Sequence, residues 1–212
     1  ELPRPGVTRD LIADRVVHAV GIGLGVAAAI VLVLVTSSDG SPGDFLPILI
    51  YTTGLLAMLG CSAAYNVFHT SSRREWLRRF DHAAIFAMIA GTYTPFTARL
   101  AESWALGLTV AIWTIAATGM VLKLWQPRRI ETISIALYLA LGWIGLAAVV
   151  PFRAALDPRT LSLLALGGIV YTAGVVFHLW RRLPYQNAIW HGFVLVAASV
   201  HYIAVIGLIV DA

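Results

Sequence analysis

The sequence predicts an all-α polytopic membrane protein, a seven-transmembrane-helix bundle with its N-terminus in the cytoplasm and its C-terminus outside. Three observations predict it. Of the 212 residues, 59% are hydrophobic and 12% charged, against about 25% charged in a soluble domain; polar side chains are too few to cover a water-facing surface. Cut at its charges, the chain leaves seven uncharged runs, 16–38, 45–72, 82–98, 103–122, 132–152, 160–180 and 183–210, each long enough for a hydrocarbon core that takes about 17–25 residues. The basic residues gather in alternate loops. The mean hydropathy of +0.81 agrees.

The spans fall near 16–36, 46–68, 81–98, 104–123, 131–150, 160–180 and 187–209, in one domain covering 1–212. In the first, Gly21, Gly25 and Ala28 form a small-residue face suited to close helix packing. The acidic, turn-rich segment from Ser37 to Asp44 then separates it from the second. Pro95 is expected to kink the third near its outer end. Trp125, Trp180 and Tyr185 sit at span ends as interface anchors. Barrel strands are excluded, because they alternate apolar and polar residues over about ten positions. Cys61 is the only cysteine, so no internal disulfide forms. The first apolar run starts late and is long enough to span, so no cleavable leader is expected.

Orientation follows from the loops. Arg4, Arg9 and Arg15 precede the first span. Arg73, Arg74, Arg78 and Arg79 follow the second, Lys123, Arg128 and Arg129 the fourth, and Arg181 and Arg182 the sixth. Only Arg99, Arg153 and Arg159 lie on the other side. The positive-inside rule puts the basic side in the cytoplasm, and the cell inner (plasma) membrane is the expected location. The net charge of +4 is thus a topology signal and not a nucleic-acid stripe. Membrane lipid is the expected partner.

Polar groups at span ends are costly and mark sites. Here they collect on the cytoplasmic side: His18 opens the first span, Asn66 and His69 close the second, and Asp81 and His82 open the third. His178 closes the sixth; Asn187 and His191 open the seventh. His201 sits deeper. Asn66 and His69 are i, i+3 and Asn187 and His191 are i, i+4, so each pair shares a helix face. Asp81 at a helix N-terminus is favoured as a carboxylate by the dipole; equally, it caps the third helix or pairs with the adjacent arginines. His178 beside Trp180 fits an interfacial residue, and His201 fits a hydrogen bond to a neighbouring helix.

At these residues the chain resembles the hemolysin III family, a branch of the progestin and adipoQ receptor superfamily. The segments that carry the resemblance are Ile12–Gly21 with His18, Ser62–Asn66 followed by Asp81–Ile85 and Ala90–Phe96, and Asn187–His191 through His201 and Tyr202. The resemblance implies a cytoplasm-side zinc site, with one His at the end of the second span and a His-x-x-x-His pair on the seventh. An Asp opening the third holds the zinc-bound water beside a Ser of the second. By position Ser62 matches that Ser, Asp81 that Asp, and His191 the second His of the pair. Asn66 and Asn187 stand where the other two His are expected. Amide oxygens suit zinc poorly, so zinc binding is predicted weak or absent, with His69 a substitute ligand.

Two functions follow. One is metal-dependent hydrolysis of a lipid amide or ester, ceramidase-like by the resemblance, with Asp81 as general base, Ser62 or Asn66 positioning water and His191 a ligand. The other is a non-catalytic lipid sensor, scaffold or pore former, whose polar cluster is a metal-free network. A retinal protein is excluded, because the only lysine, Lys123, ends the fourth span. A secondary transporter would show repeated halves and mid-membrane acids. Substrate and oligomeric state are beyond the sequence. A cysteine placed at Ser72 is expected to react only with membrane-permeant reagents in intact cells, and one at Ser41 with impermeant ones; labelling of Ser72→Cys from outside reverses the orientation.

Overall fold

The computed structural model describes residues 5–68, 70–125 and 131–211, and the regular structure there is entirely helical. In chain order the helices are α1 (Pro5–Asp39), α2 (Phe45–Val67), α3 (Arg74–Thr97), α4 (Glu102–Trp125), α5 (Glu131–Gly142), α6 (Val149–Ala155), α7 (Pro158–Leu179) and α8 (Gln186–Val210), with a 3-10 stretch, Ile144–Ala148, between α5 and α6. Six segments are long and apolar enough to cross a membrane: Arg9–Asp39, Phe45–Val67, Glu102–Trp125, Ile133–Ala155, Pro158–Leu179 and Gln186–Val210. Their outward faces carry Val16 and Leu24 of α1, Leu106 and Val110 of α4, Ile169 and Val176 of α7, and Val196 and Ile203 of α8, all exposed. Water would not tolerate so continuous an apolar surface; acyl chains do.

α3 is not among the six. It packs against α2, α4, α5 and α8, and its second half from Ala90 to Thr97 is buried except at Tyr93. A helix wrapped by protein has no need to match lipid, so it carries threonines, Asp81 and His82 where the outer helices carry aliphatics. The approach of α2 to α3 is close. A Cβ added at Gly54 would stand 3.2 Å from the Ala87 carbonyl oxygen, and one at Gly91 3.2 Å from that of Ile50.

Three expected boundaries are corrected. α1 begins well before residue 16, because a helix does not stop at Asp14 and Arg15 merely because they are charged; His18 therefore lies inside it and not at its start. α3 begins at Arg74, and its N-cap position is Arg73. Asp81 is thus two turns inside the helix, and the capping role considered for it does not hold. The fifth span is not one helix over 131–150 but α5, the 3-10 stretch and α6. Gly142 and Gly145 lie at the break, where the Tyr93 hydroxyl donates to the Gly142 carbonyl and accepts from the Gly145 N–H. Arg4, His69, Arg128 and Arg129 lie outside the described residues.

The end of the bundle away from the basic loops is pinned by Arg99, which pairs with Asp44 at 2.8 Å and donates to the Leu208 carbonyl at 2.7 Å. α7 starts on a true cap. Asp157 accepts from the backbone N–H groups of Arg159 and Thr160, and Pro158 fills the first helical position, where a missing N–H costs nothing. The hydrogen bonds from Thr160 hold the Asp157 carboxyl below its ordinary value.

Where α3 and α4 cross, a Cβ at Gly119 would stand 2.5 Å from the Phe86 ring, and Phe86 is fully buried with no room to withdraw. Gly119→Ala is expected to lower stability by about 1–3 kcal/mol through overpacking, seen as a lower thermal midpoint in detergent. An unchanged or raised midpoint would show that Phe86 is free to move.

Candidate active site

Every helix but α6 contributes to a cavity of about 410 Å³ at the end of the bundle that carries the basic loops, within the range of about 300–1,000 Å³ common to small-molecule sites. Met58 and Leu59 of α2, Ile85 and Ile89 of α3, and Val194 and Leu195 of α8 make its apolar wall. The polar lining includes His18 of α1, Ser62 and Asn66 of α2, Asp81 and His82 of α3, and Asn187 and His191 of α8.

At one wall, α1 meets α8. Asp14 and His18, one turn apart on α1, are 4% and 8% exposed. His191 Nδ1 and Asp14 Oδ1 stand 2.6 Å apart; a neutral imidazole that donates there through Nδ1–H keeps a lone pair on Nε2. The His18 and His191 rings meet edge to face with centroids 4.3 Å apart. His18 Nε2 is buried without a hydrogen-bond partner and stands 3.9 Å from Asp14 Oδ2. Asp14, His18 and His191 thus each offer a ligand atom, all within 4.8 Å of one another, and form a group able to hold a metal ion.

The three donors fit a divalent ion. Zinc takes His nitrogen at about 2.0–2.1 Å and carboxylate oxygen at about 2.0–2.2 Å. In the tetrahedral arrangement that zinc prefers, two such ligands stand about 3.3–3.5 Å apart, and His18 Nε2 and Asp14 Oδ2, at 3.9 Å, need to close by about half an ångström to share one ion. The bond from Asp14 to His191 is also of the kind that orients a ligating imidazole. The positions that the family resemblance marks fit worse. The Asn66 amide donates to the Ser62 carbonyl of its own helix at 2.9 Å, which turns its polar group to the backbone, and Asn66 and Asn187 bring no imidazole.

Asp81 is half-buried. Its carboxylate lies close to the Ser62 side chain and within electrostatic reach of His191 and Asp14. The backbone carbonyl of His82 accepts from Tyr138 at 2.9 Å. His178 lines the cavity, with its ring 4.9 Å from that of Trp190. His201 contacts the Leu164 carbonyl of α7 through Nε2 at 3.2 Å. Asp14 went unnoticed in the sequence because it falls outside the uncharged run that begins at residue 16. Its signal was the i, i+4 spacing to His18, the same spacing that drew attention to Asn187 and His191.

The family described as Haemolysin-III related matches residues 12–202. The chain is 33% identical over 200 residues to "Hemolysin-3 homolog" of Bacillus subtilis (strain 168), covering 93% of each. It is 30% identical to "Monocyte to macrophage differentiation factor" of Homo sapiens, covering 74% of this chain and 67% of that one. It is 28% identical to "Heptahelical transmembrane protein ADIPOR2" of Oryza sativa subsp. japonica, covering 75% and 80%. No solved structure matches.

The Asp14–His191 contact is expected to couple α1 to α8. Asp14→Asn and His191→Ala should each destabilise the protein, and the double variant should lose less than their sum by about 0.5–3 kcal/mol. Strict additivity of the thermal or denaturant midpoints would show that the two side chains do not interact.

Proposed function

The chain belongs to the hemolysin III family, within the progestin and adipoQ receptor superfamily, and from that premise we propose that it is a metal-dependent hydrolase of a lipid amide or ester. One observation carries the proposal: a three-donor group stands near a carboxylate and a serine in a cavity that also has an apolar wall. By this reading the protein is a seven-span protein of the inner (plasma) membrane, α3 being the seventh crossing, with the cavity facing the cytoplasm. The clustering of Arg73, Arg74, Arg78, Arg79, Arg181 and Arg182 at that end supports the orientation.

Zinc is the ion proposed for Asp14, His18 and His191; when bound, such an ion polarises a carbonyl and lowers the pKa of water. Asp81 is the general base. It takes a proton from the attacking water, the water oxygen bonds the carbonyl carbon, and the carbon–nitrogen or carbon–oxygen bond breaks. Asp81 then returns the proton to the leaving amine or alkoxide. Ser62, beside the Asp81 carboxylate, helps to position it, and the Asp14 contact orients the His191 ring. The apolar wall holds the acyl chain and keeps bulk water out.

A second reading is favoured by the 2.6 Å bond between Asp14 and His191, which satisfies both groups without an ion. The cavity then serves a metal-free lipid sensor. Metal analysis separates the two. Purified protein supplied with zinc is expected to retain about one equivalent, and a chelator should lower its thermal midpoint by mass action. Asp14→Ala and His18→Ala should abolish retention, whereas Asn66→Ala should not. Failure of the unmodified protein to retain any divalent ion would exclude the hydrolytic reading.

A further inference from the structure

The cavity runs deeper than the three-donor group requires. His201 follows His191 on the same unbroken helix, α8, and ten residues of helix carry it about 15 Å further along the axis. It still lines the cavity, as does Tyr171 of α7. The two rings meet at the α7–α8 seam with centroids 5.7 Å apart. Gly167 makes room for this: a Cβ there would stand 2.2 Å from His201 Nε2. Nε2 itself lies 3.2 Å from the Leu164 carbonyl oxygen. A carbonyl only accepts, so a neutral imidazole bonded to it carries its hydrogen on Nε2 and keeps a lone pair on Nδ1. The ring thus has an acceptor to offer.

A second polar group lies close to Tyr171. Tyr51 of α2 is 0% exposed, and its hydroxyl is buried without a hydrogen-bond partner. It is within electrostatic reach of Tyr171 and Tyr202, and the Tyr202 hydroxyl already donates to the Ala28 carbonyl at 3.1 Å. α2, α7 and α8 therefore bring polar side chains together deep in the bundle, where an unpaired polar atom is costly. Between this zone and His191, α8 lines the cavity with Val194 and Leu195. Polar, apolar and polar surface thus succeed one another along one helix, and a plain hydrocarbon chain would leave the last unanswered.

We propose that the deep zone is a second subsite, which recognises a hydroxyl carried on the hydrocarbon chain of a bound lipid. That hydroxyl donates to His201 Nδ1 and accepts from the Tyr171 phenol, an assignment that rests on the reading of the cavity as a lipid site and not on turnover. An extended chain advances roughly 1.2 Å per bond, so a span of about 15 Å puts the hydroxyl near the twelfth chain atom from His191. The test is a thermal-shift titration of the full chain in neutral detergent with three glycerol ethers, which an amide or ester hydrolase does not cleave. They are 1-O-octadecylglycerol and its analogues with a hydroxyl at chain carbon 12 or chain carbon 4. The 12-hydroxy ether is expected to bind about fivefold more tightly than the plain one, the worth of one neutral hydrogen bond. The 4-hydroxy ether, with its hydroxyl beside Val194 and Leu195, should bind less tightly than the plain one. His201→Leu should abolish the preference for the 12-hydroxy ether. Tyr171→Phe, which keeps the ring and the packing, should reduce it. Equal affinity for the plain and 12-hydroxy ethers would overturn the proposal, and so would a preference that survives both substitutions. No shift with any ether would overturn it together with the reading of the cavity as a lipid site. A preference for the 12-hydroxy ether in a protein that retains no metal would uphold the subsite while removing the hydrolytic reading.

Discussion

A polar group inside a bilayer has to find its partner within the protein, and the enclosure of α3 is where this chain meets that constraint. Thr92 and Thr94 turn their hydroxyls back to the carbonyls of Met88 and Ala90 at 2.8 Å. The Trp113 indole of α4 then donates to the Thr94 hydroxyl at 3.1 Å, and Thr109 donates to Thr97 at 2.6 Å. The last two bonds need α4 against α3, and the close approach at Gly54 and Gly91 packs α2 on another side of it. With α3 so enclosed, Asp81 and His82 can sit in its first half without facing lipid. The outer helices then have only to be apolar outside.

The same constraint shapes the wall between α1 and α8. Asp14 and His191 are 177 positions apart in sequence, yet each is the other's partner in a region with little water. A buried carboxylate without a partner would cost several kcal/mol. The imidazole that satisfies it is oriented by the same bond, so one contact closes the bundle between its first and last long helices and aims a ring nitrogen. His18, packed edge-on against that ring, brings its unbonded nitrogen to the free oxygen of Asp14. Structural and chemical roles here share the same atoms, which is why removing either partner perturbs both.

How much of this was legible in the sequence differs by feature. Run length and loop charge were enough for the membrane class and for the placement of the outer helices, since both reflect direct contact with lipid. They failed at the starts of α1 and α3. Cutting at charged residues assumes that a charge ends a span, yet Asp14 and Arg15 sit within α1 and Glu75 and Arg78 within α3, with Asp14 turned to His191 and Arg78 to Glu75. The division of the fifth span was equally hidden, because it depends on a hydroxyl of α3 reaching backbone groups around Gly142 and Gly145. For the site, helix-end polarity pointed to the right end of the bundle. The positional match to the family then directed attention to Asn66 and Asn187, and away from Asp14, which lies before the run that was being read.

That displacement has an electrostatic logic. Two imidazoles at the positions of Asn66 and Asn187 would offer a cation neutral nitrogens alone. Asp14 instead offers a formal negative charge, worth more to a cation in a poorly solvated place than any neutral donor. A cation held between α1 and α8 would offset Asp14, so the carboxylate that closes the bundle through His191 would also balance the charge of the ion.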